Sequence, residues 1–249
     1  MGIQVKSEAD IAVMRQAGKI VATVLEMLKL QVKPGMKTRE LDAIAAKEVV
    51  RLGAKSSFKG YRGYPATICA SVNDEIVHGI PGDRVLKEGD IISLDFGAIF
   101  NGFQGDAAIT VGVGAISPDA RKLIETTDGA LKAGIAAVKH GARLGDISST
   151  IQQYAESRGY TVVREYTGHG IGREMHEDPQ VPNFGDPGTG PVLQKGMTIA
   201  IEPMVNVGDW RTKVGANRWT VSTIDGSLSA HFEHTVAVTN GAAEVLTAL

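Results

Sequence analysis

Cysteine, aromatic residues and excess charge are all scarce in this sequence of 249 residues. The one cysteine, Cys69, excludes an internal disulfide and is typical of a reducing compartment. A net charge of −2 gives no general attraction to nucleic acid or to an anionic membrane. The most apolar stretch, residues 20–30, is broken by Glu26 and Lys29 and is too short to span a bilayer, and residues 1–6 lack the apolar core of a signal peptide. We therefore expect a cytoplasmic protein that binds neither nucleic acid nor membrane.

What the chain does have is a hairpin that carries two aspartates. An Asn-Gly dipeptide at 101–102, the strongest signal for a two-residue turn, separates an apolar run ending in Asp95 from a returning strand that contains Asp106. With that turn, Asp95 faces Ala108 and both aspartates share one face of the hairpin. Two buried carboxylates aimed at one place repel each other unless a cation lies between them. For either aspartate alone, a solvated or hairpin-capping role is the alternative.

Apolar residues at helical spacing predict four helices, which form two similar pairs. The first pair begins at Ser7 and the second at Ser117, each a helix-capping residue. A Val-Lys-Pro-Gly segment inside the first pair matches a Val-Lys-His-Gly segment inside the second at an offset of 106 residues. We therefore expect one α+β domain over residues 1–249, made of two pseudo-symmetric helix-helix-strand-strand halves at about 7–115 and 117–245.

The repeat gives each half the same two acids. At an offset of 107 residues Asp95 corresponds to Glu202, and at 127, across a longer connection, Asp106 corresponds to Glu233. Pseudo-two-fold halves would bring these four carboxylates together at the centre. Four converging anions have no stable arrangement without metal, so the sequence predicts a metal site between the halves.

Histidines supply further candidates. His169 lies between glycines, where a ligand is a better interpretation than a core histidine. Four carboxylates, one imidazole and no thiolate suit two divalent ions such as Mn, Fe or Co better than a structural zinc. His231 shares a strand face with Glu233 and should point toward the metals. His234 on the opposite face and His140 at a helix end are interpreted as structural.

Two histidines and a group of aromatic residues stay open when judged from the residues alone. His78 and His176 lie in turn-forming segments and suit a site or an ordinary loop equally well. Aromatic residues make up 5% of the chain, and several cluster in the loop-like segment around Tyr61, where exposed aromatics more often bind than fill a core. Core packing is the alternative for Phe58 and Cys69.

Eight segments together resemble the methionine aminopeptidases of the short bacterial type I, in family order over nearly the whole chain. The segments are 61–65 (YRGYP), 77–81 (VHGIP), 94–97 (LDFG), 105–106 (GD), 168–173 (GHGIGR), 200–204 (AIEPM), 219–221 (WTV) and 231–235 (HFEHT). The resemblance implies the pita-bread fold, in which two αβ halves surround a dinuclear metal site, and this agrees with the repeat. The metal ligands that it implies are Asp95, Asp106, His169, Glu202 and Glu233.

The same resemblance implies removal of the initiator methionine from nascent proteins and peptides with a small second residue. Two divalent ions (Co, Mn, Fe, Zn or Ni) would activate a hydroxide for attack, and Glu202 would handle its proton. His176 would stabilise the oxyanion, and His78 would contact the nitrogen of the second residue. A monomer that acts on nascent N-termini is expected, with contact to the ribosome left open. The methionine side chain would be held by Tyr61, Tyr64, Cys69, Met175 and Trp219.

Three positions depart from the bacterial pattern. Phe58 stands where a cysteine is usual, Met175 where phenylalanine is expected, and His231 where glutamine is expected. The first two would line the methionine pocket, and the third would alter the surroundings of the metal bound by Glu233. Because the second residue is a small glycine, partial removal of the chain's own Met1 is also expected. The alternatives are an Xaa-Pro peptidase of the same fold and a non-catalytic binding protein of this fold.

Overall fold

The computed structural model of the chain describes residues 2–249, and the predicted removal of Met1 concerns a residue outside that range. Within it, a helix pair followed by strands occurs twice. The helices are α1 (Glu8–Gln31), α2 (Thr38–Arg51), α3 (Pro118–Ala137) and α4 (Leu144–Glu156), and a single 3-10 turn covers Tyr61–Gly63. The strands are β1 (Lys55–Ser56), β2 (Cys69–Val72), β3 (Glu75–Val77), β4 (Ile91–Phe100), β5 (Phe103–Gly112), β6 (Thr161–Val162), β7 (Thr167–Gly170), β8 (Glu177–Pro182), β9 (Thr198–Ile201), β10 (Met204–Asn206), β11 (Thr212–Val214), β12 (Val221–Thr223), β13 (Ser229–His231), β14 (Glu233–Ala237) and β15 (Glu244–Val245).

The helix starts follow from side chains that satisfy the first free N–H groups. Ser7 and Asp10 form the capping box of α1, because each side chain accepts a hydrogen bond from the other's backbone N–H. Ser117 caps α3. In α2 and α4 the acids Glu40 and Asp146 accept the N–H three residues before them. The four predicted helices are therefore confirmed.

The hairpin of β4 and β5 has the register that its Asn-Gly turn predicts. Asp95 lies opposite Ala108 and Asp106 opposite Gly97. Asn101 and Gly102 have φ of 48° and 78°, the two positive values that a tight hairpin turn requires. Alternate residues of β4, such as Leu94 and Phe96, are buried in the hydrophobic core under the first helix pair. The aspartates therefore project from the opposite face.

The two halves meet in one central sheet. Its strand order is β1-β4-β5-β14-β9-β7-β8, with β2 also paired to β4 and β15 to β14. β5 from the first half pairs with β14 from the second, so the two pseudo-symmetric halves join at this pair of strands. Each half also has its own hydrophobic core between its helices and its strands.

The loops that follow the first helix of each pair repeat the same contacts. Gly35 N–H donates to Leu86 O at 2.8 Å, and Gly141 N–H donates to Leu193 O at 2.9 Å. An isolated antiparallel β-bridge joins the backbones of Lys37 and Val85 in the first half, and an equivalent one joins Arg143 and Val192 in the second. The duplication inferred from short matches in the sequence is therefore also present in the backbone hydrogen bonds.

The second half contains more strand than its sequence predicts. The connection between Glu202 and Glu233 forms β10 to β13, which belong to two small sheets with strand orders β13-β10-β6 and β11-β12-β3. Each of these strands has three residues, too few for an alternating pattern to stand out. No helix within residues 2–249 combines the length and apolarity needed to cross a bilayer.

Candidate metal centre

Carboxylates from three adjacent strands lie in one row across the central sheet. Asp95 on β4 is opposite Ala108 on β5, and Ala108 is opposite Glu233 on β14. Asp106 stands two residues before Ala108 on β5, so it projects from the same face. Reciprocal hydrogen bonds of Thr235 Oγ1 to the backbone N–H and carbonyl of Asp106 (3.0 and 2.8 Å) tie β5 to β14 at this point.

The remaining two predicted ligands come from the next strands of the same sheet. Glu202 directly follows β9, and His169 on β7 is opposite Ala200. His169 Nε2 lies 3.6 Å from Glu202 Oε1 and 3.9 Å from Asp106 Oδ2. One ligand atom each from Asp106, His169 and Glu233 lies within 4.8 Å of the other two. The structure therefore brings all five side chains to one place.

The electrostatics of this group are unfavourable without a cation. Asp95, Asp106 and Glu233 are buried, and among residues 2–249 no hydrogen-bond partner is found for one carboxylate oxygen of each. Burial raises the pKa of Asp95 to about 7. Burial, and then the charges of neighbouring acids, raise the pKa values of Asp106, Glu202 and Glu233 well above their usual range. Orphaned buried oxygens and mutual repulsion fit a site made for divalent ions.

The imidazole of His169 is oriented as a ligand should be. Its Nδ1 lies 2.9 Å from Gly170 O, to which an N–H at this position donates, so Nε2 is free to face the carboxylates. Burial lowers the pKa of His169 to about 3, with His176 as a smaller cause. The ring is therefore neutral at physiological pH, which is the form that binds metal.

Metal removal should destabilise the protein increasingly as pH rises. Groups whose pKa is raised in the folded state stabilise it at low pH, and this stability is lost as pH rises through the folded pKa, here about 7 for Asp95. We expect the melting temperature of the manganese-loaded protein to exceed that of the EDTA-treated protein by several degrees more at about pH 8 than at about pH 6. Thermal unfolding at both pH values measures this difference, and a difference independent of pH would contradict it.

A cavity of about 150 Å³ opens beside the carboxylates. Its lining includes Asp95, Asp106, His169, Glu202 and Glu233 on one side and a largely apolar wall on the other. Every residue predicted to contact substrate also lines it. These are Tyr61, Tyr64, Cys69, His78, Met175, His176 and Trp219.

The aromatic wall is more deeply packed than a loop interpretation implies. Tyr64 is buried, and its hydroxyl lies 3.0 Å from the carbonyl oxygens of both Ile68 and Gly79. Its ring meets Trp219 edge-on at 5.1 Å and Phe58 at 6.5 Å. The expectation of exposed aromatics in this segment is wrong for Tyr64, because the chain turns inward after the 3-10 turn.

Phe58 both packs in this wall and lines the cavity. It is buried in a cluster with Cys69 and Met175, and all three side chains also line the cavity, so Phe58 has both roles at once. A Cβ at Gly97 would come within 2.9 Å of the Phe58 ring. The large ring therefore fits against the strand only because residue 97 has no side chain.

His176 and His78 both line the cavity. The exposed ring of His176 stacks on Tyr61, with Nδ1 2.9 Å from the tyrosine hydroxyl, and its centroid is 4.2 Å from that of His169. Desolvation, followed by the charge of Arg62, lowers the pKa of His176. Burial lowers the pKa of His78 to about 4. Both rings are therefore mainly neutral at neutral pH.

The other histidines divide as their strand positions predict. His231 Nε2 lies 3.8 Å from Glu233 Oε2 and 4.0 Å from Glu202 Oε2, so the ring faces the centre. His234 turns away, with its Nδ1 2.9 Å from Thr247 Oγ1. His140 accepts the N–H of Lys195, outside the site.

Sequence reasoning missed two side chains that hold candidate ligands in place. Thr235 fixes the backbone of Asp106. Asn183 donates from Nδ2 to Glu202 O at 3.0 Å. Neither position carries a signal, because a buried hydroxyl or amide acquires its role only from the strands beside it.

Comparisons with known proteins agree on one family. The sequence matches metallopeptidase family M24 over residues 12–240. A methionine aminopeptidase from Clostridium acetobutylicum is 55% identical over 246 residues, which are 98% of either chain. The crystal structure of a methionine aminopeptidase from Thermotoga maritima superposes with a TM-score of 0.98, at 47% identity over 100% of both chains. A prolidase from Pyrococcus furiosus shares the fold with a TM-score of 0.81, at 23% identity over 98% of this chain and 65% of that one.

Proposed function

The chain belongs to metallopeptidase family M24 and, within it, to the type I methionine aminopeptidases, and we propose that the side chains gathered on its central sheet are the catalytic centre of this enzyme. The enzyme removes the N-terminal methionine from polypeptides and depends on divalent metal ions. The observation that carries the proposal is the convergence of Asp106, His169 and Glu233, whose ligand atoms lie within 4.8 Å of one another beside an apolar-walled cavity.

Four carboxylates and an imidazole suit two divalent ions, because four negative charges balance two dications. Oxygen-rich donors favour Mn, Fe or Co, and Zn and Ni are also compatible with the imidazole. When bound, such ions polarise the scissile carbonyl as Lewis acids and lower the pKa of water to near neutrality. The side chains that would hold them are Asp95, Asp106, His169, Glu202 and Glu233.

Three side chains are proposed to handle protons and developing charge. Glu202, whose pKa is raised by burial and by the charge of Asp95, would take the proton of the attacking water at a carboxylate oxygen. The Tyr61 hydroxyl lies 2.9 Å from His176 Nδ1. With the hydroxyl as donor, the His176 proton would be on Nε2, from which it would donate to the oxyanion. His78, at the cavity rim, would contact the nitrogen of the second residue.

The cavity beside the carboxylates is proposed to take the methionine side chain. A flexible thioether suits a pocket of mixed aromatic and sulfur-containing residues. The Tyr64 hydroxyl, which lies 3.0 Å from the backbone carbonyls of Ile68 and Gly79, fixes the position of this ring in the wall. The residues proposed to contact methionine are Tyr61, Tyr64, Cys69, Met175 and Trp219.

A peptide pair separates this function from that of an Xaa-Pro peptidase of the same fold. We expect the manganese- or cobalt-loaded protein to release methionine from Met-Gly-Met and to leave a Met-Pro dipeptide largely intact. Free methionine measured by chromatography checks both reactions, and EDTA treatment is the control. Preferential cleavage of Met-Pro would favour the alternative. A loaded protein that cleaves neither would favour a non-catalytic binding protein.

We propose in addition that the enzyme works in the cytoplasm as a monomer on nascent N-termini. A single buried cysteine is compatible with the reducing conditions there. Co-sedimentation with ribosomes would measure whether the enzyme also contacts the ribosome.

A further inference from the structure

The ring of His231 faces two of the central carboxylates, but the five-ligand set does not use it. His231 ends β13 and is 1% exposed. Among residues 2–249 its Nε2 has no hydrogen-bond partner, although it is buried. A buried ring nitrogen without a partner loses its hydration and gains nothing in exchange, so such an atom needs an explanation.

The surroundings of His231 Nε2 match those of His169 Nε2. His169 Nε2 is 3.6 Å from Glu202 Oε1 and 3.9 Å from the Asp106 carboxylate. His231 Nε2 is 4.0 Å from Glu202 Oε2 and 3.8 Å from the Glu233 carboxylate. The two imidazoles thus face opposite oxygens of the same Glu202 side chain, each shared with one further acid.

The backbone of His231 is held in place from both sides. Thr110 Oγ1 accepts the His231 N–H at 2.9 Å and donates to the His231 carbonyl at 2.7 Å. Ser93 Oγ lies 2.8 Å from the same threonine oxygen, and His231 pairs with Met204 across β10 and β13. The ring therefore enters the centre from an anchored strand end rather than from a loose loop.

A direct hydrogen bond to an acid does not account for this position. Separations of 3.8 and 4.0 Å exceed the length of an N–H···O bond. Donor atoms around one ion, in contrast, stand about 3 to 4 Å apart when each lies about 2.1 Å from the metal. The trio whose ligand atoms all lie within 4.8 Å of one another is Asp106, His169 and Glu233. His231 lies outside this trio, with its Nε2 near the carboxylates of Glu202 and Glu233.

We propose that His231 Nε2 is a direct ligand of the ion held by Glu202 and Glu233, so that the centre has two imidazole donors. This inference rests on the proposed metal centre. A neutral ligand leaves the balance of four carboxylates against two dications unchanged. A second nitrogen donor shifts preference away from Mn and toward Co, Ni or Zn, because imidazole binds the later metals better.

Counting coordinated imidazoles tests the proposal. In proton NMR spectra of the cobalt-loaded protein, each coordinated histidine gives one strongly shifted, exchangeable ring N–H signal. We expect two such signals from the wild type and one from His231→Gln, which carries the residue expected from the bacterial pattern. His234→Gln is the matched control, since His234 lies on the other face of the neighbouring strand, and it should keep both signals.

Metal titration provides the second readout. By calorimetry, His231→Gln should weaken cobalt binding at one site by about 10- to 100-fold or more and weaken manganese binding less. One shifted signal in the wild type, or two in His231→Gln, would overturn the inference. The wild-type spectrum decides the matter even if the variant does not fold. One shifted signal in a wild-type protein that still hydrolyses Met-Gly-Met would contradict only the role of His231. The absence of all shifted signals together with the absence of hydrolysis would contradict the proposed metal centre as well.

Discussion

Replacing Asp106 by Asn should lower kcat/KM for Met-Gly-Met by about 1000-fold or more, since metal ions contribute several kcal/mol of transition-state stabilisation and each ~1.4 kcal/mol is tenfold in rate. The amide keeps the shape of the side chain but removes the negative charge that is proposed to bind metal. The backbone anchor to Thr235 is unaffected, because it uses the main chain of residue 106. The fold should therefore persist while metal binding and hydrolysis are lost.

The same substitution should stabilise the protein when metal is absent. The pKa of Asp106 is raised by burial and by the charges of Asp95 and Glu202, so the ionised carboxylate opposes folding above its usual titration range. An uncharged amide relieves this repulsion. We expect the metal-free variant to melt above the metal-free wild type at about pH 8, with the order reversed when manganese is present.

Kinetics, metal content and melting curves measure these effects together. Asp83→Asn is the matched control, because Asp83 is exposed and pairs with surface lysine and arginine, so the change should leave activity and metal content nearly unchanged. An Asp106→Asn protein that binds two ions and hydrolyses the peptide at the wild-type rate would show that Asp106 is not a ligand.

Local rules are sufficient to predict the hairpin that carries the first two acids. An Asn-Gly turn determines the register of β4 and β5, and the register puts Asp95 and Asp106 on one face. The repeat extends this to Glu202 and Glu233, because duplicated halves must place equivalent side chains near the axis between them. Burial alone does not distinguish such residues, since both faces of β4 are covered.

Long-range pairing accounts for what the sequence does not predict. The partners of β14 and β9 are far away along the chain, and nothing local specifies that His169 will lie across from Ala200. The burial of Tyr64 likewise depends on carbonyl groups of Ile68 and Gly79, which only the folded chain brings within 3.0 Å. Among residues 2–249, His231 Nε2 lacks a hydrogen-bond partner because of the folded surroundings of the ring, and no sequence pattern predicts this.

Replacing His176 by Ala should lower kcat by about 100- to 1000-fold, the usual loss when one donor to an oxyanion is removed. The ring lines the cavity, with its centroid 4.2 Å from that of His169, and its Nε2–H is proposed to donate to the oxygen that develops charge there. A contact made mainly in the transition state affects kcat, and KM should change little.

Tyr61→Phe tests the supporting role of the Tyr61 hydroxyl separately from the role of the His176 ring. The hydroxyl of Tyr61 is 2.9 Å from His176 Nδ1 and is proposed to donate to it, so its loss should leave the ring in place without the group that selects the tautomer with the proton on Nε2. We expect a smaller fall in kcat, about 5-fold, consistent with the loss of one net hydrogen bond of ~1 kcal/mol. His140→Ala, at a histidine outside the site, should leave kcat unchanged. If His176→Ala raises KM and spares kcat, the ring binds the ground-state substrate and the oxyanion role belongs elsewhere.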